Sequence, residues 1–152
     1  MFKKIMILIF ICLFVVTSVY AAEKPGTPAE AKKLVEKAVA YVKVNGEEKA
    51  LKEFNNPNGQ FVKGNLYVFA LDPKGISLAN SKLPKLVGTD LYNVPDSKGK
   101  LFRKEMVDTA NSQGSAWVTY YQVNPTTKKD EAKISYVQKV GNMIVGCGAY
   151  LP

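Results

Sequence analysis

The chain of 152 residues has no histidine, a single arginine (Arg103) and only two cysteines, and each shortage excludes a class of chemistry. Without histidine there is no Ser-His-Asp triad, no HExxH zinc site and no proximal haem ligand. Paired-carboxylate motifs, a Gly-x-Ser-x-Gly elbow and a phosphate loop are missing too, so the sequence reads as a non-enzyme. The aspartates lack the DxDxDG spacing of a calcium loop, and no cofactor or metal is expected. Long apolar runs are also scarce: the one present spans Ile5 to Val19 behind Lys3 and Lys4 and ends at Val19-Tyr20-Ala21. At 15 residues it is short of the roughly 20 that span a bilayer, and it reads as a secretory leader, residues 1–21, cut after Ala21. The alternative is an uncleaved anchor in the inner membrane. Cys12 leaves with the leader, which leaves Cys147 without a disulfide partner.

About 130 residues remain, enough for one domain with its own core. Loss of Lys3 and Lys4 lowers the formal charge from +8 by two. The remaining lysines are interspersed with acids, as in Glu30, Lys32, Lys33, Glu36 and Lys37, and form no stripe for a phosphate backbone. Nucleic acid is not an expected partner.

Residues 22–32 read as a linker and helix start. Thr27-Pro28-Ala29-Glu30 is a capping box with proline at the first helical position. Ala31, Leu34, Val35, Ala38, Val39 and Val42 then recur on one helical face, and Asn45-Gly46 supplies the stop. A short helix with Ala50, Leu51 and Phe54 follows. Leu66 to Leu71 and Ile76 to Asn80 flank the turn Asp72-Pro73-Lys74-Gly75 as a hairpin, the first strand apolar on both faces and so covered on both sides. An irregular stretch from Ser81 to Lys100 leads to a short helix from Leu101 to Ala110. A meander closes the chain: Ser115–Val123, Ala132–Val140, the turn Gly141-Asn142, and Met143–Tyr150.

This order predicts an α+β fold, a PAS-like five-stranded antiparallel sheet with a long N-terminal amphipathic helix. The two-residue turn sets the last hairpin's register: Tyr136 opposite Cys147, Ser135 opposite Gly148, Val137 opposite Gly146. One face then carries Ile134, Tyr136, Val145, Cys147 and Ala149. The other, with Ser135, Gly146 and Gly148, is a bare strip that something approaches closely, and the first helix is its expected cover ahead of a ligand. Cys147, among small residues, reads as a buried hydrophobe and not a nucleophile.

The linked motifs Tyr67-Val68-Phe69 with Asp72-x-x-Gly75, Gly88-x-Asp90-Leu91, Asp96-x-x-Gly99, Gly114-x-x-Trp117-Val118-x-Tyr120, Lys133-x-Ser135-Tyr136-Val137 and Gly146-x-Gly148-x-Tyr150 carry a resemblance. From Lys33 to the end, residues 33–152, the chain resembles the second type of single Cache domain of bacterial extracytoplasmic sensors. The resemblance implies a pocket on one sheet face for a small metabolite, often a short carboxylate, within chemoreceptors and sensor kinases. With the chain stopping at Pro152, it implies the stand-alone secreted form, a periplasmic module working with a membrane receptor, kinase or transporter and present as a monomer or weak dimer.

A carboxylate needs a fixed positive charge and hydroxyl donors at the edge of an apolar pocket. Lys133, Tyr136 and Tyr120 form the expected set, Tyr120 and Tyr136 facing each other if the loop between their strands is symmetric. Strict alternation puts Lys133 and Tyr136 on opposite faces, so Lys133 is expected to reach round a strand end or sit beside a bulge. Arg103 could cap the pocket, although a solvated helix face is its plainer reading. Asn80 and Trp117 also stand at motif positions; the plainer expectation is a strand end for Asn80 and the core for Trp117. The competing function is a docking protein of the same fold with its pocket filled by its own aromatics.

Overall fold

The computed structural model describes residues 24–152; the leader and its cleavage point lie outside the described residues. The expected capping box is formed: the Thr27 hydroxyl accepts from the Glu30 amide, and the Glu30 carboxylate accepts from the Thr27 amide. It starts α1, Pro28–Asn45, which ends at Gly46 and is followed by α2, Glu47–Phe54. The strands are β1 Val62–Lys63, β2 Leu66–Leu71, β3 Ser77–Asn80, β4 Ser115–Val123, β5 Asp130–Val140 and β6 Met143–Tyr150, with α3, Phe102–Gln113, between β3 and β4. The sheet runs β1-β2-β6-β5-β4, all antiparallel, with β3 pairing β2.

The sheet therefore has six strands where five were expected. The addition is the two-residue β1, which pairs Val62 with Tyr67 and Lys63 with Leu66, beside the part of β2 that β3 occupies. Its two residues are too few to show an alternating pattern in the sequence. The α+β, PAS-like plan stands.

Both faces of β2 are covered, as its apolar sequence requires. Leu66, Val68 and Ala70 join Val145, Cys147 and Ala149 under α1, while Phe69 and Leu71 join Val118, Val137 and Ile144 under α3. The last hairpin has the expected register, with Tyr136 opposite Cys147 and Ser135 opposite Gly148. What covers the bare strip is not α1, which packs on the opposite face. A Cβ at Gly146 would meet the Phe69 ring and Val137; one at Gly148 would meet the Ser135 hydroxyl and the Lys133 stem. The glycines make room for the furniture of a site.

Cys147 is fully buried on the α1 face, and burial pushes its thiol up to about 12, against the pull of the Lys133 ammonium. Thiolate is the reactive form, so native protein at pH 8 should show no rapid labelling by a thiol-disulfide reagent, with stoichiometric release only in denaturant. Fast native labelling would contradict the placement.

Candidate functional site

The α3 face of the sheet holds an inner cavity of about 30 Å³ between β2, the long loop and α3. Tyr67, Phe69, Asn80, Leu83, Leu91, Phe102, Arg103, Tyr120 and Gln122 are among its walls. The loop is pinned over it by polar contacts. Asp96 uses one carboxylate oxygen to accept from the Lys98 and Lys100 amides and the other to accept from the Tyr121 amide of β4. The Tyr92 hydroxyl donates to Asp108 and accepts from Lys104 on α3, both at 2.6 Å.

Lys133 and Tyr120 face each other across β5 and β4, so both side chains point to this face. Lys133 is only 2% exposed although it sits within the strand, not at its end. Its Nζ donates to the Tyr67 hydroxyl at 3.3 Å and lies 4.6 Å from the Tyr67 ring centroid and 4.7 Å from that of Tyr150. Burial pulls the ammonium pKa down, and the surrounding phenols of Tyr120, Tyr67 and Tyr150 outweigh that pull and hold it above the ordinary lysine value. Tyr120 is fixed by its hydroxyl, 2.9 Å from that of Ser135, and by its ring, stacked on Phe102 at 4.0 Å. Burial raises its pKa, opposed by Lys133.

Arg103 borders the cavity, with its guanidinium 4.2 Å from the Phe102 ring centroid. Burial lowers its pKa, opposed by Tyr120 and Tyr67. Among the described residues neither Arg103 nor Lys133 has a carboxylate within salt-bridge distance; the four ion pairs lie elsewhere, on half-exposed side chains. A buried charge is ordinarily paired. Here two cations share a mostly aromatic face without an anion.

Four of the six expected site residues thus come together: Lys133, Tyr120, Arg103 and Asn80. Asn80 ends β3, where its Oδ1 accepts from the Lys82 and Leu83 amides and starts the loop. The other two do not join them. Tyr136 pairs with Trp117, not Tyr120, and both lie on the α1 face. Lys133 accordingly needs neither a bulge nor a strand end, because it and Tyr136 never share a face. Nor is Trp117 core: it is 43% exposed on edge strand β4, beside Tyr136 at 5.0 Å. Tyr67 and Tyr150 were missed. The signal was parity, since Tyr150 shares a face with Gly148 of the bare strip and Tyr67 alternates with the residues under α1.

Residues 4–152 match the family model of single Cache domain 2. The chain belongs to this family. It is a sensor-type domain, not an enzyme. A Cache chemosensory domain described for carboxylic acid recognition matches with TM-score 0.68 and 25% identity, over 82% of this chain and 92% of that one. A periplasmic sensor domain of a chemotaxis protein matches with TM-score 0.65 and 26% identity, over 82% and 90%. A methyl-accepting chemotaxis protein from Vibrio parahaemolyticus shares the fold, with TM-score 0.68, 20% identity and coverage of 80% and 86%. In this Cache domain no helix among the described residues is long and apolar enough to cross a membrane, and no cluster of acids or cysteine gathers to hold a metal ion.

Proposed function

We propose that this Cache domain is a periplasmic sensor module that binds a short organic acid between the sheet, the long loop and α3, and hands the signal to a membrane receptor, kinase or transporter. The observation that carries the reading is the buried cation Lys133 beside the partly buried Arg103, neither with a carboxylate partner, on the cavity side of the sheet. An anion there gains charge-assisted hydrogen bonds in a low-dielectric setting and relieves the cost of unpaired charge. The similar domain described for carboxylic acid recognition supports the same class of ligand. A cavity of about 30 Å³ favours the shortest acids. Export follows from the leader, so the mature protein in the periplasmic fraction should begin at Ala22 by intact mass; a membrane-bound chain starting at Met1 contradicts this.

The test is thermal unfolding with formate, acetate, propionate, pyruvate and succinate, against neutral amides and amines of matching size. A ligand at a hundredfold its Kd adds about 2.7 kcal/mol, on the order of 10 °C for a domain of this size. The shortest acids should raise Tm and the amides and amines should not. An unmoved Tm throughout turns the reading to a docking domain filled by its own aromatics; a shift with amines alone reverses the sign of the ligand.

A further inference from the structure

The residue that decides access to Lys133 is Tyr67, and the argument rests on the reading of this face as an anion site. Lys133 does not border the inner cavity; Tyr67 and Tyr120 do, and they screen it. An ammonium has three protons to donate, and among the described residues the Lys133 Nζ makes one hydrogen bond, to the neutral Tyr67 hydroxyl at 3.3 Å. A carboxylate oxygen carries negative charge as well and forms a shorter and stronger bond with the same ammonium. For a ligand in the cavity to make it, one of the two phenols must leave.

The two are not equally held. Tyr120 is tied to Ser135 and stacked on Phe102, whereas the Tyr67 hydroxyl has no other hydrogen bond among the described residues. They also differ in where they can go. The Tyr67 ring is only 4% exposed and the inner cavity is too small to take it. On its other side Tyr67 borders an outer groove of about 840 Å³, with Pro25, Pro28, Tyr150 and Leu151 among its walls.

We infer that the Tyr67 hydroxyl holds the ligand's place on Lys133 in the empty protein, and that binding of a carboxylate displaces the phenol toward the outer groove. Tyr67 is then a competitor of the ligand and not one of its donors. Ligand occupancy is thereby reported at the groove, where the first described residues of the chain meet its last ones.

The roles of competitor and donor differ in sign. Calorimetric titration of the full mature protein with acetate should show Tyr67→Phe, which keeps the ring and removes the hydroxyl, binding roughly three- to tenfold more tightly than wild type. Weaker or unchanged binding overturns the proposal while leaving the anion site standing. Binding by neither protein overturns both. The pairing is checked without ligand by a double-mutant cycle in urea. Tyr67→Phe should lower the unfolding midpoint in the native background and leave it unmoved when combined with Lys133→Met. Equal shifts in both backgrounds show that the hydroxyl does not serve Lys133, and the proposal fails.

Discussion

Replacing Lys133 by Met is expected to weaken binding of any confirmed acid by roughly 10- to 150-fold, the equivalent of about 1.5 to 3 kcal/mol for a hydrogen bond to a charged group. The same change should lower the unfolding midpoint in urea only modestly, by the hydrogen bond to the Tyr67 hydroxyl that is lost. Lys133 is among the largest fully buried side chains of the domain, and methionine fills nearly the same volume without a charge to desolvate. Lys133→Ala behaves differently, because the stem that packs over Gly148 is lost and a cavity opens, at a cost of roughly 2 to 5 kcal/mol. The two variants separate charge from packing: loss of binding in both with a large loss of stability only in the second is the expected pattern. Tyr136→Phe, on the opposite face, should leave affinity untouched. A normal affinity in Lys133→Met, or a strong loss in Tyr136→Phe, places the ligand elsewhere.

Why the sequence predicts one pairing of these strands and misses the other lies in their loops. The β5–β6 connection is the two-residue turn Gly141-Asn142, with Gly141 at φ 54°, and so short a turn admits one register, from which the bare strip and the burial of Cys147 follow. Between β4 and β5 the connection is long enough to close in several ways. It closes through Lys128 donating to the Asn124 carbonyl and Asn124 donating to that of Lys129, with the Asn124 side chain reaching Glu131. Val123 then meets Asp130, and Tyr120 meets Lys133 rather than Tyr136. Lys133 and Tyr136 are three positions apart, an odd number, so a register wrong by that much carries the wrong side chain to the site. Lys133, Tyr120, Arg103 and Asn80 were legible because they stand in motifs or are singular in type. Tyr67 was hidden inside an apolar strand, where a phenol passes for one more core residue.

The buried groups around Lys133 also set how the domain responds to alkali. Burial raises Cys147 and Tyr150 to about 12 each and raises Tyr120, while the phenols hold Lys133 above its ordinary value. In the unfolded chain the thiol releases its proton near 9 and the phenols and ammonium near 10. Between those values and the folded ones the native state retains protons that the unfolded state has lost, and stability falls as pH rises. It should therefore be flat from about pH 6 to 8, decline from about 9, and fall steeply between about 10 and 12. For Cys147, moving from 9.0 to about 12 amounts to on the order of 4 kcal/mol by pH 12, a large share of a small domain's stability. Tyr150 contributes less than its shift implies, because it is half-buried and partly screened by water. Urea unfolding followed at successive pH values measures the slope directly. Cys147→Ala, which removes the largest of these protons at the cost of a small cavity, should be slightly less stable at pH 7 and lose less stability from pH 9 to 11 than the parent. A parent whose midpoint stays level to pH 11, or a variant with the same slope, would show that these groups are not buried in the folded state, and the site as described would fall with them.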